Sequence, residues 1–201
     1  MAAVLKYRLG PRYRHPCMKL DVQRALRWMR FNASGLGGLK EKVAVMGFSA
    51  GGHLAATACT QFDTGDASAP DAIDRVSCRP DRSILAYAVL TLQDPFAHAG
   101  SRSNLLGKDR EMDEALVAEM SAPLRVTEQT PPTFLFSTSG DRAVPVENSL
   151  MYMTALRKHG VDAELHLFDD NGRHGVGMAT DDDRLRQWWP LAVQWLKRAG
   201  W

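Results

Sequence analysis

The sequence is poor in the features that would tie it to a cross-linked scaffold, a polyanion or a bilayer. Its three cysteines, Cys17, Cys59 and Cys78, are odd in number and widely spaced, which fits neither a disulfide framework nor a zinc site. Cys59 falls in an apolar helical stretch and reads as a small core residue. Neither sign of charge dominates: 25 basic residues face 23 acidic ones, a net charge of +2, too small to argue for nucleic acid or an anionic membrane. No run approaches the ~20 apolar residues of a membrane span. The start, MAAVLKYRLGPRY, lacks the sections of a signal peptide. The expected setting is cytoplasmic as written, or secreted if a leader has been removed. Repeats and low-complexity tracts are also missing. The Asn32-Ala33-Ser34 sequon is short enough to arise by chance and carries no weight.

What is present is an alternation of short apolar runs and helical periodicities. Ala3 to Tyr7, Lys42 to Phe48, Ser83 to Leu92, Thr133 to Thr138 and Ala163 to Phe168 read as strands. SILAYAVLTL is almost wholly apolar, as a strand covered on both faces should be. Between them, Leu20 to Phe31, Ala50 to about Gln61 and Val146 to His159 have helical spacing, the last stopped by Gly160. Asp183 to Arg198 closes the sequence as an amphipathic helix that Pro190 is expected to kink or divide. Residues 93–129 are polar, with a helix candidate near Glu111 to Met120, and are expected to lie over a site. Strands separated by helices imply parallel crossovers. The expected architecture is one α/β domain over residues 1–201, a mostly parallel sheet of about five or six strands with helices on both faces and no separate cap.

Within VAVMGFSAGGHLA, Ser49 stands between Gly47 and Gly51 in a G-x-S-x-G pattern. The pattern alone is moderately common, and a glycine turn made for close packing is its plain alternative. The strand before it and the helix after it make Ser49 the residue of a sharp strand-to-helix turn, a nucleophile elbow. Side chains at Gly47 and Gly51 are expected to collide with backbone there. The Ala50 amide, at the helix start, is placed to stabilise an oxyanion. A serine hydroxyl needs a base, and the base an orienting carboxylate. Asp141 follows the strand TFLFST, and His174 follows AELHLF in a loop with glycines on both sides. Serine, acid and histidine thus come in order, each just beyond a strand. His15, His53, His159 and His166 are weaker bases by position, and Glu147 is an alternative acid inside a helix. Asp169 and Asp170 read as turn residues. No His/Cys/Asp cluster has metal-ligand spacing, so neither metal nor cofactor is expected.

GFSAGGHLAA, HAGSRSNLLG at 98–107, TPPTFLFSTSGDRAVPVENSLMYMTALRKHGV at 130–161 and AELHLFDDNGRHGVGM together resemble α/β-hydrolase esterases of the acetyl-xylan-esterase and feruloyl-esterase-like group. The resemblance runs over nearly the whole sequence. It implies ester hydrolysis through an acyl-enzyme, with Ser49 as nucleophile, His174 as base, Asp141 as orienting acid, and short acyl groups, acetyl above all, on a small-molecule or carbohydrate alcohol. His98 and Ser101 match the group's loop, as pocket-lining or structural residues.

Two departures stand out. The group's H-G-G loop, which supplies the second oxyanion donor, has no counterpart in these residues. VLKYRLGPRY resembles the strand that follows that loop, so the domain is expected to be shortened at its N-terminus. Arg173 also lies where relatives tend to have glycine. One expectation has Ala3–Tyr7 sliding beside Lys42–Phe48, which brings the Leu9 or Gly10 amide near Ser49, with a homodimer covering the exposed edge. The competing functions are a hydrolase-fold binding protein or fragment with impaired catalysis and, further off, a prolyl-oligopeptidase-type peptidase.

Overall fold

The computed structural model describes residues 1–170 and 172–201; Asn171, in the histidine loop, lies outside the described residues. Four strands, β1 (Ala44–Phe48), β2 (Arg82–Ala86), β3 (Thr133–Thr138) and β4 (Ala163–Phe168), form one sheet in the order β1-β2-β3-β4. Every pairing is parallel, with Ala44 opposite Arg82, Ser83 opposite Thr133 and Thr133 opposite Ala163. A hydrogen bond between the buried Ser83 and Thr133 hydroxyls, 2.8 Å long, pins the central register.

Helices cover both faces. On one, α2 (Ser49–Thr60) and α5 (Glu147–Lys158) bring Ala55, Ala56, Tyr152 and Leu156 onto Leu85 and Leu135. On the other, α6 (Trp188–Arg198) packs Trp188 and Trp195 against Phe134, Phe136 and Ile84. Alternation along β2 and β3 explains the division, since successive side chains point to opposite faces. Trp188 stacks on Phe136 with centroids 4.9 Å apart and planes at 3°. The long α1 (Cys17–Asn32) lies outside α2, burying Met18, Val22 and Leu26 against Leu54 and Ala58. Cys59 is fully buried in α2, and burial pushes its thiol up to about 12. No helix among the described residues is long and apolar enough to cross a membrane.

Four expectations are corrected. The described sheet has four strands, not five or six. Ala3–Tyr7 is not a strand and does not pair with β1; Val4 is 94% exposed, and only Tyr7 of the segment packs into the cluster beside Val43 and Leu54. The apolar run 83–92 stays in the sheet only to Ala86. At Tyr87 the backbone turns to φ +38°, and 88–92 leave as buried irregular chain. Their amides are satisfied elsewhere, those of Leu90 and Thr91 by Asn148 Oδ1 and that of Leu92 by Ser121 Oγ, as burial requires. Finally, Pro190 does not break the last helix. The helix starts at Trp188, so proline occupies its first turn, where no amide hydrogen is needed.

Within 93–129 the chain forms α3 (Ala99–Leu106) and α4 (Glu114–Glu119), of which only the second has a counterpart in the expected helix.

Candidate active site

The carboxyl ends of parallel strands are where side chains from several loops converge. Here β1 ends at Ser49, β3 runs into the loop holding Asp141, and β4 runs into the loop holding His174. The structure brings all three together. Ser49 Oγ lies 2.7 Å from His174 Nε2, and His174 Nδ1 lies 2.6 Å from Asp141 Oδ2. Nδ1–H donates to the carboxylate, which leaves Nε2 as the acceptor for the serine hydroxyl. The other Asp141 oxygen accepts the amides of Ala143 and Val144 at 2.9 and 3.0 Å. With its side chain only 2% exposed, Asp141 is fixed in orientation and can stabilise the imidazolium that proton transfer creates.

The elbow carries local strain. Ser49 has φ +49°, a left-handed conformation that costs a residue with a Cβ ~1–2 kcal/mol. It is held there by tight packing on either side. A Cβ at Gly47 would overlap the Gly51 carbonyl, and one at Gly52 would overlap Ala88. The Val89 amide donates to the Ser49 carbonyl at 3.1 Å, locking the elbow to the segment that leaves β2. At Gly51, by contrast, a Cβ would meet only the Tyr7 hydroxyl, at 3.9 Å. The expectation that Gly51 is sterically obligatory is therefore corrected: the crowded glycines are Gly47 and Gly52.

A cavity of about 300 Å³ lies beside the elbow. Ala50, His53, Leu54 and Thr57 form one wall along α2, while Leu9, Gly10, Ser101 and Met120 belong to others. Ala50 and Gly10 thus face one space, and the Ala50 amide belongs to the first turn of α2, where amides lack intrahelical partners. Ser101 lines the cavity. His98 caps α3, its Nδ1 accepting from the Ser101 amide and hydroxyl at 3.1 and 2.9 Å. His53 is buried, and its Nε2–H donates to the Met120 carbonyl at 2.8 Å, tying α2 to the covering segment. Burial lowers its basicity below that of an ordinary histidine. His166 pairs with Glu164 and stacks on Phe134, and Glu147 opens α5. Arg173 forms ion pairs with Asp170, Asp181 and Asp182 at the mouth of the histidine loop.

Sequence reasoning passed over two residues of this region. Asn148 holds the chain that leaves β2. Tyr87 contacts His174 edge to face at 5.1 Å. The only signal for Tyr87 was a polar-tipped aromatic inside an otherwise aliphatic run.

Chemically, the arrangement can lower the barrier to attack by a serine oxygen on an electrophilic carbonyl. A base lies in hydrogen-bond contact, a carboxylate orients that base, and a helix amide stands next to the nucleophile.

The BD-FAE family model matches residues 1–156. The sequence is 36% identical over 162 residues to endo-1,4-beta-xylanase B of Butyrivibrio fibrisolvens, covering 81% of this chain and 25% of that protein. It is 33% identical over 162 residues to the acetylxylan esterase of Xylanibacter ruminicola, covering 80% of this chain and 31% of that protein. The chain therefore spans about a quarter to a third of these curated relatives. Among solved structures, an acetyl ester-xyloside bifunctional hydrolase from Caldicellulosiruptor lactoaceticus superposes with a TM-score of 0.94 at 47% identity, over 98% of this chain and 71% of that one. The fold is that of an α/β-hydrolase.

Proposed function

The chain belongs to the BD-FAE family, and from that premise we propose that it is a serine carboxylesterase that cleaves short, acetyl-type esters, with a carbohydrate as the alcohol. The observation that carries the proposal is the continuous hydrogen-bonded line from Ser49 through His174 to Asp141. Ser49 Oγ attacks the acyl carbon while His174 Nε2 takes its proton. The tetrahedral oxyanion points to the Ala50 amide, and Gly10, on the wall of the same cavity, is the candidate second donor. His174 returns the proton to the departing alkoxide, leaving an acyl-serine. Water, deprotonated by the same nitrogen, then releases the acid. The lining of the cavity of about 300 Å³ includes Ala50 but none of Ser49, His174 and Asp141, so the preference for a short acyl group rests on the similarity to acetyl esterases and not on the cavity's size. The sugar alcohol is suggested by the similarity to an acetylxylan esterase and an acetyl ester-xyloside hydrolase.

One observation favours the alternative of a hydrolase-fold binding protein with impaired turnover: β1, the strand that leads into the proposed nucleophile, is an edge strand of the described sheet. Hydrolysis of p-nitrophenyl acetate separates the two. Turnover by the wild type that falls at least ~10³-fold in Ser49→Ala is expected for the esterase. Turnover unchanged by the substitution removes Ser49 as the nucleophile, and no turnover in either favours the binding protein.

A further inference from the structure

Two residues with side chains are held at positive φ on neighbouring strand ends, Ser49 after β1 at +49° and Tyr87 after β2 at +38°. Both reach His174. The strain at Ser49 belongs to the elbow, but the mechanism above leaves the strain at Tyr87 without a purpose. Such outliers persist where the surroundings over-determine them and are often part of a working site. At Tyr87 the turn aims the side chain out of the sheet and under the histidine loop. Its ring meets the His174 imidazole at 5.1 Å with an interplanar angle of 79°, a favoured edge-to-face geometry. Its hydroxyl oxygen accepts the Gly177 amide at 2.9 Å. A single side chain therefore holds both the imidazole and the backbone three residues beyond it.

The loop has need of such a hold. Gly172, Gly175 and Gly177 all adopt positive φ, and glycine-rich backbone has little conformational preference of its own. Its other restraints are less specific. Arg173 pairs with three aspartates, but its side chain is 46% exposed, and surface pairs restrain little. Val176 and Met178 pack near Trp188, which buries the loop without fixing a ring rotation. Among the described residues, the hydrogen bonds of His174 go to Ser49 and Asp141, and Tyr87 supplies its ring contact.

We propose that Tyr87 is a positioning residue for the base, setting the rotation of the His174 imidazole between Ser49 and Asp141. It acts through His174, and its role in turnover rests on the esterase function proposed above. The reason it matters is geometric. The imidazole must take a proton from Oγ, give it to an alkoxide and then take one from water without leaving the line to Asp141. A misplacement of 1 Å can cost ~10²-fold in rate. Burial pushes the Tyr87 hydroxyl above the usual tyrosine range, which favours the neutral form that accepts the Gly177 amide.

The test uses Tyr87→Phe, which keeps the ring and removes the tether, and Tyr87→Leu, which removes both. Histidine-labelled protein reports the His174 ring by NMR relaxation dispersion, with the signal assigned through His174→Gln, and needs no substrate. In parallel, kcat and KM are measured on p-nitrophenyl acetate. Tyr87→Phe should lower kcat about tenfold with KM within about twofold, as expected for losing one hydrogen bond that holds the base. Its His174 signal should show exchange broadening absent from the wild type. Tyr87→Leu should lower kcat about 10²-fold, in line with the misplacement effect. Wild-type kcat and an unchanged His174 signal in both variants would overturn the proposal. So would a fall in thermal midpoint with the His174 signal unchanged, because Tyr87 would then be a packing residue only. If the wild type fails to turn over the ester, the esterase reading falls, while the NMR arm still decides the role of Tyr87.

Discussion

Around Ser49, His174 and Asp141, contacts from the chain beyond β2 and β3 fix each residue: two amides hold Asp141, Asp141 and Tyr87 hold His174, and the Val89 amide holds the Ser49 carbonyl. The flank of β1 facing away from β2 is built otherwise. No described strand pairs with it, and most of the large apolar side chains left exposed fall within the first 46 residues, Val4 at 94% and Met46 at 37% among them. The proposed proton relay and the proposed oxyanion donors thus meet at the elbow but draw on different supports beyond it. The side chains of the proposed relay follow β1, β3 and β4, and are tied to the chain that leaves the internal strand β2, through Val89 and Tyr87. The space where an oxyanion would be met, between Ala50 and Gly10, borders the edge strand and the extended N-terminal segment.

Two neighbouring glycines offer the sharpest way to break this contrast. Gly52 faces Ala88, on the chain that leaves β2, whereas Gly51 faces only the hydroxyl of Tyr7, in the N-terminal segment. Gly52→Ala should force apart two packed backbones and destabilise the protein by ~1–3 kcal/mol, lowering the thermal midpoint by several degrees with a parallel loss of activity. Gly51→Ala should be neutral or stabilise by up to ~1 kcal/mol, through helix propensity. Equal effects of the two in thermal melts would mean that the flanks are equally tight.

A smaller effect is expected at His53, on the cavity wall. Its folded-state basicity is lowered, first by burial, so the folded protein binds fewer protons than the unfolded chain at mildly acidic pH. The stability this contributes is complete above the unfolded value of about 6.5 and is lost as pH falls towards the lower folded value. Thermal midpoints should drop below about pH 6.5, and His53→Gln, which can still donate to Met120, should flatten that slope. His15 works in the same direction, since burial also lowers its basicity, so some slope should remain in the variant.

The legible parts of the molecule are those set by local pattern. Thr133–Thr138 and Ala163–Phe168 have the expected ends, the first an apolar run buried throughout, the second an alternation of apolar and polar residues on a partly exposed edge strand. The convergence of Ser49, Asp141 and His174 was legible from their places just beyond strands. What escaped depends on tertiary contact. The end of β2 is decided by the left-handed turn at Tyr87 and by side-chain partners, Asn148 and Ser121, dozens of residues away. Ala3–Tyr7 has the composition of a strand, but pairing requires a neighbour that composition does not reveal. Which glycines the elbow needs follows from the approach of Ala88, a fact of packing and not of the G-x-S-x-G spacing. Pro190 depended on where its helix begins, a boundary that propensity locates poorly.

The central claim is that Ser49 is activated by His174 and Asp141 through the hydrogen bonds seen here. The most direct measurement is the rate of covalent labelling by a fluorophosphonate, read by intact mass and peptide mapping, in the wild type and in His174→Ala. The expected result is one adduct per chain, on Ser49, formed at least ~10³-fold more slowly when the base is removed. Labelling at another residue, or labelling of Ser49 at an undiminished rate in His174→Ala, would contradict it.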